Sequence, residues 1–259
     1  MESLVKSFAR IASLTAFSAA ALSFSAPTAS AQPLPSAADV IAKYVTAIGG
    51  KDAIMQVKSI SSAGTLEVPS MGLSAKMEVA MAAPNKTSSK TNIPGMGEIV
   101  NGYDGAVAWA IDPSAGERVL ADRELEQTKE NADFYGNMIY PADRYTTMEV
   151  QSIADFGGEK AYKVKLVRKG SGNESMNYFS VATGLLVGSE STQITPMGNI
   201  QVTQTFSEYK QFGSIKMATK VEQAMGPTTM VITMSDVKLN EVPANAFDIP
   251  ARVKPLVKP

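Results

Sequence analysis

The stretch from Gly97 to Ile111 reads Gly-Glu-Ile-Val-Asn-Gly-Tyr-Asp-Gly-Ala-Val-Ala-Trp-Ala-Ile, and it predicts a β-hairpin. Its centre contains an Asn-Gly and an Asp-Gly pair, and both pairs tolerate the positive φ of a tight turn. After the turn, Val107, Trp109 and Ile111 alternate with alanines at period two. One face of the second strand is therefore bulky, and the other is small enough for another layer to approach closely. We place this hairpin in the middle of a large antiparallel sheet.

Most of the remaining chain also reads as strands separated by turns rich in Gly, Pro and Asn. The predicted strands outside the hairpin are 57–68, 73–81, 85–93, 146–153, 161–168, 175–181, 185–194, 200–209, 215–225 and 228–239. Connections of mostly two to six residues leave little room for crossover helices, so neighbouring strands should be antiparallel. About eleven strands are more than a flat sheet tolerates. The sequence therefore predicts a mainly β (α+β) fold in which the sheet curls into a full or partial barrel.

Two amphipathic helices are predicted beside the strands. The first begins at Ser36, with Asp39 three residues further on as in a capping box, and ends at Gly49-Gly50. The second covers 121–138, where apolar or small residues recur every three or four positions between Glu, Lys and Asp. We interpret its charged residues as a solvated face.

The first 31 residues have the pattern of a secretory signal. Lys6 and Arg10 precede an apolar run from Ile11 to Phe24, and Ala29-Ser30-Ala31 forms a small-residue cleavage site. The alternative is an uncleaved membrane anchor, but the run is short and rich in Ser. We expect a signal peptide at 1–31 and a single exported domain at 32–259.

The composition excludes several kinds of chemistry. The 259 residues contain neither Cys nor His, which rules out disulfides, thiolate metal sites and Ser-His-Asp triads. A net charge of −1 gives no electrostatic basis for nucleic-acid binding. The acid pairs Glu124/Glu126 and Asp155/Glu159 fall in the charged helix and in a loop, where carboxylates are usually solvated. We therefore predict no enzyme, no catalytic residue, no metal and no cofactor.

Methionine is the residue type that stands out. The chain has 14, and several share one face of a predicted strand. Methionine is flexible and polarisable, and it is frequent where an apolar surface must fit ligands of variable shape. A core packed with methionine is the other interpretation of the same pattern. The predicted ligand-contacting residues are Met77, Val79, Met81, Trp109, Met217, Met230, Ile232 and Met234.

Taken together, these features resemble the LolA/LolB-like superfamily, and especially the outer membrane lipoprotein-sorting proteins. The resemblance covers residues 37–249, and the order of elements contributes more than any single motif. The residues that carry it are Ala47-Ile48-Gly49-Gly50, Gly102-Tyr103-Asp104-Gly105 followed by Trp109, Glu124-Leu125 with Phe134, and Tyr178-Phe179 followed by Ala182-Thr183-Gly184-Leu185.

The resemblance implies an unclosed β-barrel of about eleven strands, with helices laid across its concave side to form an apolar cavity. It implies a monomeric, non-enzymatic periplasmic carrier or binder of lipid or lipoprotein acyl chains. The alternative is a periplasmic regulatory or scaffolding domain that binds an envelope membrane protein. None of Arg118, Arg123, Arg144 and Arg168 can be aligned with the interior arginine of LolA, and the cysteine that anchors LolB is absent.

The resemblance leaves two orientations open for the hairpin. Either Val107, Trp109 and Ile111 line the concave side, or the alanines face inward and admit a helix.

Overall fold

One 13-stranded sheet forms the framework of the protein. The structure is a computed structural model that describes residues 33–195 and 198–257, so the predicted signal peptide lies outside the described residues. The strands are β1 Ser59–Val68, β2 Leu73–Ala82, β3 Lys86–Ile93, β4 Gly97–Tyr103, β5 Ala108–Asp112, β6 Gly116–Val119, β7 Tyr145–Phe156, β8 Glu159–Arg168, β9 Glu174–Ser180, β10 Leu186–Thr195, β11 Gly198–Phe212, β12 Ile215–Met225 and β13 Thr228–Leu239.

The helices are few and short. They are α1 Ala37–Ala47, α2 Lys51–Gln56, α3 Asp122–Ala132 and α4 Gly136–Ile139, with 3₁₀ segments at Pro69–Met71, Ala142–Arg144, Ala244–Phe247 and Lys254–Leu256.

The strand order is β6-β5-β4-β3-β2-β1-β13-β12-β11-β10-β9-β8-β7, and all neighbouring pairs are antiparallel. In the described part of the chain, β6 and β7 form the two edges, so the barrel is not closed. The chain passes from one edge to the other through α3 and α4. The predicted mainly β, unclosed-barrel fold is confirmed.

The number of strands and the second helix differ from the prediction. The four-residue strand β6 follows the loop at 113–115 and is too short to show a period, so it is not among the predicted strands. The helix expected over 121–138 is two helices, because the backbone leaves the helical conformation at Asp133, which has φ −64° and ψ 89°.

The hairpin of β4 and β5 lies next to the β6 edge of the sheet and not in its middle, where it was predicted, and it turns later than the Asn-Gly pair. Asn101 and Gly102 belong to β4 and lie opposite Ala110 and Trp109. The turn is held by Asp104, whose Oδ1 accepts the backbone N–H groups of Ala106 and Val107 at 2.8 and 2.7 Å. The Asp-Gly pair therefore supplies the turn, because its carboxylate satisfies two backbone donors there.

The two faces of β5 pack against different partners. Ala108 packs with Tyr103 of β4 and Ala132 of α3 on the concave side of the sheet. Trp109 packs with Val253 of the C-terminal segment on the opposite face. Of the two orientations left open by the sequence, the structure has the one in which alanines admit a helix.

Helix α1 is fixed at both ends. The Ser36 hydroxyl accepts the backbone N–H of Asp39 at 3.1 Å, as the capping pattern predicts. Gly49 follows the helix with φ 127°, and a Cβ there would lie 2.4 Å from the Ser214 carbonyl oxygen. Only glycine allows this close approach. As a result, Lys216 N–H donates to the Ile48 carbonyl at 2.9 Å, which ties the helix to the start of β12.

Candidate ligand-binding cavity

A cavity of about 510 Å³ is bordered by strands of the sheet and by helices α1, α2, α3 and α4. This volume lies within the range of roughly 300–1,000 Å³ that is usual for small-molecule sites. Its apolar and aromatic lining residues are Tyr44, Ile48, Ile54, Ile60, Met81, Phe134, Met138, Tyr140, Tyr145, Leu166, Leu186, Phe206, Tyr209, Ile215, Met217, Ala218 and Val221. Its polar lining residues are Gln127, Glu130, Asn131, Asn137, Arg168, Asn173, Glu174, Ser175, Asn177, Ser189, Ser191, Thr192, Gln204 and Lys216.

The apolar side of the cavity is built around an aromatic cluster. Tyr44 of α1 meets Phe179 of β9 edge to face, with ring centroids 5.3 Å apart. Tyr140, which follows α4, contacts the same two rings at 5.8 and 5.9 Å. Edge-to-face contacts of this kind add to the free energy gained from burial. The cluster therefore connects α1 and the end of α4 to the concave face.

The tyrosines of the cavity wall remain uncharged at neutral pH. Burial raises the pKa of Tyr44 and of Tyr209 well above the usual value, and a neighbouring tyrosine raises each further. Burial also raises the pKa of Tyr140 and Tyr145. The Tyr209 hydroxyl donates to the Leu186 carbonyl at 2.7 Å, and that of Tyr140 accepts from Asn177 Nδ2 at 3.2 Å.

A small set of charged residues lies where α3 and α4 meet the sheet. Arg168 of β8 donates to Asn137 Oδ1, lies 3.7 Å from Asp133 and covers the Tyr145 ring at 4.9 Å. Arg144 lies 3.4 Å from the same Asp133 carboxylate. Arg168 is only 17% exposed, so its contacts with Asn137 of α4 and with Asp133, which follows α3, attach this part of the chain to β8.

The residues predicted from the sequence do not lie together in the structure. Met81 and Met217 line the cavity. Met77, Val79, Ile232 and Met234 border a separate, very small pocket of about 10 Å³ beside Gly64. Met77 lies opposite Gly64 and Met81 opposite Ile60, so both methionines share the concave face, roughly 13 Å apart at 3.3 Å per residue.

Met230 borders neither space, and Trp109 lies on the other face of the sheet. Trp109 therefore does not line the cavity, because the alanine face of β5 is the one turned toward α3. Whether any predicted residue binds a ligand stays a prediction.

Most of the cavity wall was missed by the sequence reasoning. The tyrosines come from segments that are distant in the sequence, and no local pattern predicts that they meet in one cavity. One signal was available: Ser175 and Asn177 in β9 alternate with Met176 and Tyr178, which indicates that one face of this strand is polar.

The two acid pairs have partners in the structure. Glu124 pairs with Arg118 at 2.6 Å and Glu126 with Lys129 at 2.7 Å. Asp155 pairs with Lys160 at 2.9 Å, and Glu159 accepts a hydrogen bond from Ser180. Among the described residues, no three acidic side chains are grouped so that they could hold a metal ion. No helix in this part of the chain is both long enough and apolar enough to cross a membrane.

Comparison with known proteins supports the fold. No family model matches the sequence, and neither does any curated protein. A LolA superfamily protein from Nitrosomonas europaea is 13% identical, with a TM-score of 0.55 over 83% of this chain and 99% of that chain. A DUF1329 family protein from Desulfovibrio piger is 13% identical, with a TM-score of 0.54 over 82% of this chain and 95% of that chain.

A third structure, from Vibrio parahaemolyticus, is described as an outer membrane lipoprotein-sorting protein domain. It is 12% identical, with a TM-score of 0.51 over 74% of this chain and 89% of that chain. At these identities the similarity concerns the fold. The chain has a LolA-like fold.

Proposed function

We propose that the protein is a non-enzymatic binder or carrier of lipid or lipoprotein acyl chains, which it holds in the cavity. We further propose that residues 32–259 act in the periplasm as one domain after a signal peptide at 1–31 is removed. The observation that carries the proposal is the cavity of about 510 Å³, whose wall is largely aliphatic and aromatic. Structures of similar fold that are described as LolA superfamily or lipoprotein-sorting proteins support it.

The energetics of transfer suit such a role. Burying an acyl chain of about fifteen methylenes is worth roughly 12 kcal/mol relative to water, at about 0.8 kcal/mol for each CH₂. A carrier that takes its cargo from a bilayer needs only a comparable apolar environment. Met81 and Met217 on the wall can adjust to chains of different shape, because methionine has three rotatable side-chain bonds.

The first test is binding of an apolar fluorescent probe to the purified protein. We expect the probe to bind and to be displaced by fatty acyl compounds. Met81→Trp should weaken probe binding more than about tenfold, or about 1.4 kcal/mol, because the larger side chain occupies the cavity. Circular dichroism and thermal unfolding would establish that the variant is folded.

Met77→Trp is the matched control, since it makes the same change on the same strand and face but outside the cavity. Probe binding that is equally weakened in both variants would instead place the site along the face of β2 that carries Met77, Val79 and Met81. If the folded wild-type protein binds neither probe nor acyl chains, the carrier proposal is wrong. Recovery of a stoichiometric envelope protein without lipid would then favour the regulatory alternative.

A further inference from the structure

Several polar side chains on the concave side of the sheet form a row that runs across neighbouring strands. Asn177 of β9 lies opposite Ser189 of β10, Ser189 lies opposite Gln204 of β11, and Gln204 lies opposite Gln223 of β12. Residues directly opposite in antiparallel strands share a face, so these four side chains form a row across the concave side. We call them the amide row; Asn177, Ser189 and Gln204 line the cavity, and Gln223 continues the row on β12.

Three members of the amide row are linked by hydrogen bonds. The Ser189 hydroxyl donates to Gln204 Oε1 at 3.2 Å, and Gln204 Nε2 donates to Gln223 Oε1 at 2.9 Å. A primary amide carries two N–H donors and an oxygen with two lone pairs. Gln204 uses one donor and one lone pair in these two contacts, so it retains capacity for a further donor and a further acceptor contact.

Apolar residues and hydroxyl groups lie on opposite sides of the amide row. Two residues from Gln204 along β11, Phe206 lies opposite Val221, and both line the cavity. In the other direction, Ser191 of β10 lies opposite Ser175 of β9, and both also line it. The cavity therefore changes from apolar to polar along the strand direction, which suits a ligand with a chain at one end and a polar group at the other.

The polar end has no surplus of positive charge. Its charged lining residues are Glu130, Arg168 and Glu174, whose formal charges sum to −1, while Lys216 lies at the apolar end beside Ile215. Arg168 faces Asp133, Glu174 pairs with Lys165 at 2.6 Å, and Glu130 accepts Asn173 Nδ2 at 2.8 Å. Sites that recognise phosphate or carboxylate usually present Arg or Lys to the anion. Amides and hydroxyls both donate and accept, and they complement uncharged groups of the same kind.

We propose that the amide row and its neighbouring serines bind an uncharged head group bearing hydroxyl or amide groups, while the acyl chain occupies the apolar end. The ligand class is then a neutral polar lipid or an acylated amide rather than a fatty acid or a phosphate-bearing lipid. This inference rests on the proposed function, because it assigns the head group of the chain bound there.

The test compares four compounds with the same decanoyl chain in displacement of the apolar probe at neutral pH. They are 1-decanoylglycerol, decanamide, decanoate and decanoyl lysophosphatidate. We expect the first two to displace the probe at concentrations about tenfold lower than the two anions, because burying an anion without a counter-charge is unfavourable. The first two compounds also distinguish a hydroxyl from an amide as the preferred group.

Two substitutions connect this preference to the amide row. Gln204→Leu should reduce the preference for neutral over anionic compounds at least about threefold, because leucine is similar in size to glutamine but cannot form hydrogen bonds. Gln204→Lys should shift the preference toward the anions, because it adds a positive charge at the polar end. Gln211→Leu is the matched control, because Gln211 lies exposed on the same strand, where its amide donates to the Gly213 carbonyl at 3.0 Å. It should leave the preference unchanged.

The possible results separate the two proposals. If the four compounds bind equally, or the anions bind more tightly, the head-group inference is wrong and the carrier proposal stands. If neither the probe nor any decanoyl compound binds the folded protein, both are overturned. A preference that Gln204→Leu leaves intact would also contradict the inference.

Discussion

Trp109 is held in the protein by packing. It is 1% exposed, and its Nε1 is the one buried side-chain nitrogen or oxygen without a hydrogen-bond partner among the described residues. Leaving a buried donor unpaired costs about 1–3 kcal/mol. The contacts of the ring with Val253 and with the bare backbone of Gly102 offset that cost.

Gly102 is where this packing can be tested. A Cβ at Gly102 would lie 2.2 Å from Trp109 Cζ2, so the ring covers the glycine directly. We expect Gly102→Ala to lower the free energy of unfolding by about 1–3 kcal/mol, as overpacking does in other proteins. Urea denaturation measures the change.

The control for Gly102→Ala is a double-mutant cycle with Trp109→Leu. Leucine lacks the ring atoms that the new methyl group would meet, so Gly102→Ala should be much less destabilising in that background. An equal loss of stability in both backgrounds would show that the effect comes from the backbone and not from the ring.

At the scale of elements, α3 depends on the alanine face of β5. Ala108 is fully buried against Tyr103 and Ala132, so there is no room for a longer side chain. We expect Ala108→Leu to destabilise the protein by about 1–3 kcal/mol and to weaken probe binding, because α3 supplies part of the cavity wall. Chemical denaturation and probe titration measure the two effects.

Ala106→Leu is the matched control. Ala106 is exposed in the turn between β4 and β5, so the same substitution should leave stability within about 0.5 kcal/mol of the wild type. If both variants behave alike, α3 does not need the small face of β5, and the packing described above is not what positions it.

At the scale of the whole molecule, the sheet separates two sites. The concave side carries the cavity, and the other face carries Trp109 beneath the C-terminal segment. We expect the emission maximum of Trp109 to stay constant when the cavity fills. Val253→Asp should shift it to longer wavelength, because a buried charge would detach the segment and expose the ring to water.

Leu256→Asp controls for the effect of the charge alone. Leu256 is 46% exposed and lies three residues beyond Val253, so its substitution should leave the emission unchanged. A shift of Trp109 emission on loading the cavity in the wild type would contradict the separation of the two faces. Steady-state fluorescence with selective excitation of tryptophan is sufficient for all three measurements.

The sequence was a good guide to elements whose signals are local. The Ser36 cap, the stop at Gly49 and the alternation on both sides of Trp109 each depend on a few adjacent residues, and each is present as predicted. The strand β6 and the break at Asp133 were missed. A four-residue strand has too few positions to display a period, and the break lies within an otherwise helical pattern.

An apolar cavity was expected from the sequence, but of the predicted residues only Met81 and Met217 line it. Period two showed that Met77, Val79 and Met81 share a face, and they do. It could not show that α1–α4 border a cavity at Met81 while Met77 lies beside a different pocket. That depends on where the link between β6 and β7 crosses the sheet.

By itself, the sequence determined the curled antiparallel sheet, the first helix and the unequal faces of the hairpin. These follow from turn residues and from alternation along the chain. Only the tertiary structure decided that Ala108 faces α3, that Trp109 faces the C-terminal segment, and that tyrosines and the amide row meet in one cavity. The reason is physical: a strand has two faces, and a face becomes interior only when a segment distant in the chain covers it.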